Sequence, residues 1–331
     1  MISSDKVIEM FEKMNSSWLG AVSALSLFLA APLALAQDYP SKPIRFVVSS
    51  TPGTTVDNLA RTLANDMSKT LGQPIVVDNK TGAGQLIGVE AVAKAAPDGY
   101  TVGIIGVDGI AMMPLSYKNM RFDPLKDVVP VATIAESRYV LASPLGRPWK
   151  TFPEFIAYAK ANPGKLNYGS SAAQVRIGVL MIMQRNDLDM VHIPYAAGGT
   201  YINSLPAGTI DAGLIGEGIA VSLNARLTIL GLSGAKRAAS FPDVPTFTEL
   251  GLPKLYGPSY SMNLPTGVPT AIRDKLNAAL EAALRKPDVR SALNKHALEV
   301  NYEGPEAARA TLADRAKLYA DFAKSANIAP E

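Results

Sequence analysis

Two apolar rhythms alternate along most of the chain. Residues 44–48 (Ile-Arg-Phe-Val-Val) form a short β-rich run, followed by a hydroxyl-rich loop at 49–55. Leu59, Leu63, Met67 and Leu71 then recur every four residues, which predicts a helix over 57–71 with one apolar face. Gly72 is the expected helix stop, and Pro74 prevents continuation. Residues 75–77 read as a second strand and 85–96 as an Ala-rich helix closed by Pro97-Asp98-Gly99. Residues 100–105 read as a third strand. That succession predicts an α/β fold built on parallel strands with right-handed crossovers.

The same grammar returns downstream. Residues 131–141 read as one extended segment, and Thr151-Phe152-Pro153-Glu154 is a capping box opening a helix to about Ala161. Residues 166–168 lead into Ser170-Ser171-Ala172 and a helix to about Gln184. Residues 190–193, 211–215 and 228–232 read as strands, 201–205 as a short helix, and Thr246 to Glu249 as a second capping box. The end is helical: 270–286 carries Ile272, Leu276, Leu280 and Leu284 on one stripe. Residues 305–326 start on Gly304-Pro305 and present Ala308, Leu312, Ala316, Tyr319 and Ala323.

Composition narrows the classes. The chain has 331 residues, enough for two α/β lobes, with 48% apolar and 18% charged residues. Net charge is +3, and residues 1–36 hold two Lys against three acids, so the remainder stands at +4. With no run of basic residues, a nucleic-acid partner has no electrostatic footprint. No cysteine is present, which excludes disulfides, thiolate catalysis and Cys-based metal sites. The two histidines, His192 and His296, are far apart and make no metal motif. Residues 19–36 are apolar, contain Pro32 and end on Ala34-Leu35-Ala36, the form of a secretory signal cleaved after Ala36. Asp5, Glu9 and Glu12 precede that stretch where positive charge is expected, so translation starting at Met14 is an alternative.

Three constellations carry candidate chemistry. Ser50, Thr51, Pro52, Gly53, Thr54, Thr55 and Asp57 form a strand-to-helix junction whose amides and helix dipole suit an anion. The bland alternative is that Thr54 or Thr55 caps the helix and Asp57 satisfies first-turn amides. Gly82-Ala83-Gly84-Gln85-Leu86-Ile87-Gly88 resembles a dinucleotide loop but is one residue too long and lacks the later acid, so it reads as a turn and no cofactor is expected. In the second half, Ser170, Ser171 and Arg176 head one helix, and Tyr195, Ala197, Gly198 and Gly199 head another. Arg176 is either a two-pronged carboxylate grip or a solvated helix charge. Asp108 and Glu217 complete the candidate ligand contacts. His192 reads as structural, because no nucleophile motif accompanies it.

Several segments together resemble the substrate-binding proteins of tripartite tricarboxylate transporters, the Bug family. They include 39–45 (Tyr-Pro-Ser-Lys-Pro-Ile-Arg), Pro52-Gly53 with Asp57, 71–79, Gly82-Ala83-Gly84, 96–101 and Phe122-Asp123-Pro124. The order continues with 163–168, His192-Ile193-Pro194-Tyr195 and 241–246, spanning nearly the whole chain after residue 36. The resemblance implies a type II periplasmic binding protein: two α/β lobes, a hinge, and a ligand cleft between them. It implies a first lobe of 37–140 plus 260–331 and a second of 141–259. It also implies capture of a small carboxylate by Ser50 to Asp57, faced by Ser170-Ser171 and Ala197-Gly198-Gly199. The expected product is a periplasmic monomer, not an enzyme, that delivers solute to membrane permease subunits.

The chain also departs from the family pattern. Thr51 and Thr54 replace a Pro and a Gly of the usual first loop, and the Ser-rich stretch shortens to 171–176. Ile215-Gly216 stand where an acid and Asn are usual, with Glu217 displaced, which argues against an amino-group ligand. Two rival classes remain open at this point. One is a ligand sensor for a signalling partner. The other is a hydrolase, for which no Gly-x-Ser-x-Gly elbow is present.

Overall fold

The computed structural model describes residues 39–196, 198–252 and 255–326. The expected leader, 1–36, lies outside them. Lys42–Glu331 form one compact unit.

One lobe is built on a six-stranded sheet in the order β11-β4-β10-β3-β1-β2. Its strands are β1 (Ile44–Val48), β2 (Ile75–Asn79), β3 (Thr101–Gly106), β4 (Val128–Glu136), β10 (Ser259–Pro265) and β11 (Glu299–Glu303). Parallel pairing holds for β2-β1-β3, as the strand-helix alternation predicts. The other half of the sheet is antiparallel, because β10 runs against both β3 and β4, and β11 against β4. The second lobe carries a three-stranded antiparallel sheet, β8-β5-β9, from β5 (Tyr139–Pro144), β8 (Gly213–Gly216) and β9 (Leu227–Leu232). Its parallel pair is β6 (Asn167–Ser170) with β7 (Val191–Pro194).

The first helix, α1 (Thr55–Leu71), behaves as its spacing dictates. Leu59, Leu63 and Met67 are fully buried, and the Gly72 N–H closes on the Ser68 carbonyl at 3.0 Å. The next helix, α2 (Leu86–Ala93), is shorter than the 85–96 expected. An unanticipated helix, α3 (Val107–Ser116), follows β3. In the second lobe, α4 (Phe152–Ala161) starts on Thr151, whose hydroxyl accepts from Glu154 N, and α5 (Ala173–Arg185) follows β6. Two short helices, α6 (Gly198–Ser204) and α7 (Glu217–Ser222), complete that lobe. The chain ends with α8 (Thr270–Leu284), α9 (Pro287–Asn294) and α10 (Pro305–Ser325).

Two expectations need correction. The single extended segment at 131–141 is two strands in different sheets, with Ser137 and Arg138 carrying the chain across. The second capping box forms reciprocally, Glu249 N donating to Thr246 Oγ1 and Thr246 N to Glu249 Oε2, yet it closes only a turn. Phe247, 1% exposed, is buried there, and Gly251 follows at once with φ 73°.

The crossing segments are tied together where Ser137 N donates to the Pro258 carbonyl at 2.7 Å. Just beyond, the β5-β9 ladder of the second lobe is extended by Ser233 N donating to Tyr139 O at 2.8 Å and Tyr139 N to Ser233 Oγ at 2.9 Å. At Gly257 the two backbones approach so closely that an added Cβ would overlap the Ser137 carbonyl oxygen and stand only 3.0 Å from its carbon. Only glycine fits this contact.

Candidate functional site

Two joined cavities open between the lobes. The smaller, about 250 Å³, is lined by Ser50, Thr54, Thr55 and Asp108 from one lobe and by Gln174 from the other. The larger, about 570 Å³, is lined by Ser170, Ser171, Arg176 and Tyr195 against Met112 and Met113. Gln85, Gly109 and Gln174 line both.

Three helix N-termini meet here. Thr54 starts α1, Gly106 starts α3 and Ala172 starts α5, and none makes a side-chain cap bond. The Thr54 hydroxyl instead donates to the Thr51 carbonyl at 2.8 Å. Unpaired first-turn amides and the positive dipole ends of three helices therefore surround the joined space, an arrangement that favours an anion.

The first loop is held from behind. Asp57 is 1% exposed and does not line either cavity. Its Oδ2 accepts from Gly53 N at 2.8 Å and Arg61 Nε at 2.9 Å, and its Oδ1 accepts from Asn79 Nδ2 at 2.9 Å. Asn79 Nδ2 also donates to the Ser50 carbonyl at 2.9 Å, so the end of β2 pins the loop. Burial alone would raise the Asp57 pKa, but the Arg61, Gly53 and Asn79 bonds outweigh it and hold the carboxyl below its ordinary value. Thr51, Pro52 and Gly53 are exposed and lie outside both linings.

Asp108 sits at the wall of the smaller cavity with its charge already compensated. Arg315 Nη1 and the Tyr319 hydroxyl each donate to Asp108 Oδ1 at 2.7 Å, and Arg315 Nη1 reaches the Gly257 carbonyl at 3.1 Å. The Arg315 guanidinium lies 4.3 Å from the centre of the Tyr256 ring. Burial and the nearby Asp108 carboxylate raise both Tyr139 and Tyr260, so those two lining phenols stay neutral donors.

In the second lobe the placement is mixed. Ser170 Oγ and His192 Nε2 share a 2.8 Å hydrogen bond, so His192 does have a serine beside it, which its sequence context does not reveal. Burial and the Arg176 charge hold His192 below its usual pKa, which makes it a weak base. Gly198 and Gly199 are exposed and line neither cavity, and Ala197 lies outside the described residues. Glu217 also lies outside both linings, its carboxylate engaged by Arg138 Nη1 at 3.2 Å and the Ser240 hydroxyl.

Gln85 is the lining residue the sequence concealed. Gly82, Ala83, Gly84 and Gln85 all have positive φ, 125°, 44°, 54° and 81°. The Tyr117 hydroxyl donates to the Ala83 carbonyl and clamps that turn. Gln85 Oε1 accepts from Ser49 Oγ at 3.0 Å, and a Cβ at Gly109 would sit 2.5 Å from the same oxygen. The G-x-G spacing of 82–84 is the sequence signal for this turn. Strain at a ligand-facing turn, held by its neighbours, is a frequent mark of a functional position.

Two α/β lobes with a cleft ringed by helix N-termini define a solute-binding protein of the type II periplasmic architecture. Residues 59–325 match the family described as tripartite tricarboxylate transporter family receptor, and the chain belongs to it. It is 34% identical over 285 residues to the Cupriavidus necator protein called UPF0065 protein in gbd 5'region, covering 85% of this chain and 86% of that one. Among solved structures it is similar to R. palustris Rpa4515 with adipate, at 28% identity and TM-score 0.78, covering 89% of this chain and 100% of that one. It is also similar to MatC from Rhodopseudomonas palustris with bound malate, at 28% identity and TM-score 0.73, covering 86% and 99%. Among the described residues no helix is long and apolar enough to cross a membrane, and no group of three or more His, Cys, Asp or Glu is placed to hold a metal.

Proposed function

We propose that this receptor captures a small carboxylate-bearing solute in the periplasm, after removal of residues 1–36, and presents it to the membrane subunits of a tripartite transporter. The observation that carries the reading is the meeting of three helix N-termini, those of α1, α3 and α5, at cavities lined from both lobes. Backbone amides supply the positive field, so the site accepts a carboxylate without spending a buried cation on it. The adipate and malate bound by two structural neighbours are both of this chemistry.

In this reading residues 37–140 with 260–331 and residues 141–259 are the two lobes, hinged where Ser137 meets Pro258. A ligand touching both lobes binds the closed form better than the open one, and that difference drives closure. The protein acts by binding as a monomer. Among the described residues the Ser170–His192 pair favours a hydrolase, and the depressed basicity of His192 disfavours it.

Thermal shift against a panel of carboxylic acids tests the proposal, because ligand binding to the native state raises stability by mass action. Small-angle scattering on the hits should show compaction. A broad panel with no stabilisation and no compaction refutes capture, and ester turnover abolished by Ser170→Ala would establish the hydrolase instead.

A further inference from the structure

The two chambers differ in how their charge is settled. In the smaller one Asp108 is neutralised by Arg315 and hydrogen-bonded by Tyr319. The larger one is walled by Met112, Met113, Leu115, Ile177 and the rings of Tyr117 and Tyr195, and Arg176 is the charged side chain among its described lining residues. Arg176 makes no ion pair with an acid among the described residues. Its guanidinium engages the Tyr168 phenol instead, and burial together with the Arg176 charge keeps His192 toward its neutral form, so it adds no second charge.

Arg176 also sits where the path between chambers ends. Gln174, two residues earlier in the first turn of α5, lines both cavities, while Arg176 lines only the larger. A ligand whose head occupies the smaller chamber must pass Gln174 to fill the larger. Its body would then displace the water that serves the guanidinium. Stripping water from a cation that has no acid beside it is costly unless the ligand supplies an anion in return. At about 570 Å³ the larger chamber lies well inside the range of drug-sized sites, far more room than a four-carbon acid fills.

We propose that Arg176 is a specificity-determining residue that selects elongated diacids: one carboxylate at the helix N-termini of the smaller chamber, an apolar spine along Met112, Met113 and Ile177, and the second carboxylate on the Arg176 guanidinium. This rests on the capture reading above and narrows its ligand class. A planar guanidinium meets a carboxylate through two parallel hydrogen bonds, which fixes the far end of the ligand as well as attracting it. A monoacid of equal length leaves the same cation dry and without an acid beside it.

The test uses straight-chain α,ω-dicarboxylates of increasing length and the monomethyl ester of each, titrated by calorimetry into the wild type, Arg176→Met and Arg176→Lys. Removing one charge at constant length isolates the distal contact. The wild type should prefer a long diacid over its half-ester by about 10- to 100-fold. Arg176→Met should reduce that preference to within about threefold while leaving half-ester affinity unchanged or higher, and Arg176→Lys should restore part of it. Because Arg176 is exposed, the unfolding midpoint of the ligand-free variants should not move. Equal wild-type affinity for diacid and half-ester, or an Arg176→Met variant that weakens both alike, overturns the assignment but leaves carboxylate capture standing. Binding of no diacid and no half-ester to any of the three proteins overturns capture itself, and this assignment with it.

Discussion

Asp57 is the acid most easily mistaken for a ligand contact, and Asp57→Asn separates positioning from contact. Asn is isosteric, but one carboxylate oxygen becomes an NH2. Placed at Oδ2 it faces the Gly53 N–H and Arg61 Nε–H, donor against donor. Placed at Oδ1 it faces the Asn79 amide in the same way. At least one bond is lost in either orientation, and the rest lose the help of a full charge. Bonds to a buried charged group contribute about 1.5–3 kcal/mol each, so the loss over Gly53 and Asn79 is about 2–4 kcal/mol, with the solvent-facing Arg61 left out of the figure. Urea titration at neutral pH reads that loss directly. Its pH dependence has a definite sign. The folded carboxyl titrates below the unfolded value of about 3.9, so its stabilisation is complete above about pH 4 and fades as pH falls through the folded pKa. The gap between wild type and variant should therefore narrow in acid. A variant as stable as the wild type at neutral pH that no longer binds carboxylates would refute the positioning argument and put Asp57 on the ligand.

The crossing segments and the cavity wall give two more expectations. Gly257→Ala drives a methyl into the Ser137 carbonyl, backbone against backbone, with no flexible side chain to yield; thermal melts should show a loss of about 2–3 kcal/mol, and an unchanged melt would mean the crossing is looser than described. Arg315→Met leaves Asp108 buried without its cation and should cost about 3–5 kcal/mol in denaturant titration, much of it recovered by adding Asp108→Asn; no recovery in the double variant would show that packing of Arg315 on Tyr256, not the ion pair, carries the effect.

Legibility from the sequence followed burial chemistry. The face of α1 was readable because its buried positions are apolar at a four-residue spacing. The strand β10 was harder to read because one of its two buried faces is polar: Ser259, Ser261 and Asn263 are at most 2% exposed, while Met262 and Leu264 fill the other face. Asn263 Nδ2 donates to the Ser261 carbonyl at 2.9 Å, and Ser261 Oγ to Asn263 Oδ1 at 3.1 Å, so hydrogen bonding satisfies a buried face that sequence polarity alone would place in solvent. The break between β4 and β5, Ser137-Arg138, carries no Gly, Pro, Asn or Asp; partner strands in two different sheets decide it. Helix α3 was obscured by Gly109 and by Pro114 within its last turn. At the site, hydroxyls and small residues marked the loops carrying Ser50, Thr54 and Thr55 and Ser170-Ser171, which line the cavities, but also Gly198-Gly199, which do not. They could not show that Asp57 and Glu217 are consumed inside the lobes while Gln85 and Gln174 reach the cavities.

That division has a consequence for how the receptor sets affinity and selectivity. The first carboxylate would be held by amides belonging to three helices, groups every homologous fold can offer whatever its side chains, and Asp108, the nearby acid, is silenced by Arg315 and Tyr319. Net charge therefore says little about the site, and a chain at +3 need not be a strong anion binder elsewhere on its surface. Selectivity must then come from whatever the second chamber adds to this shared anchor. There the side chains are largely apolar or neutral and one guanidinium stands out. Substitutions at the anchor should weaken all acids together, whereas Arg176 should re-rank them. If Arg176→Met lowered every acid by the same factor, anchor and selector would not be separable, and the two-chamber logic would fail.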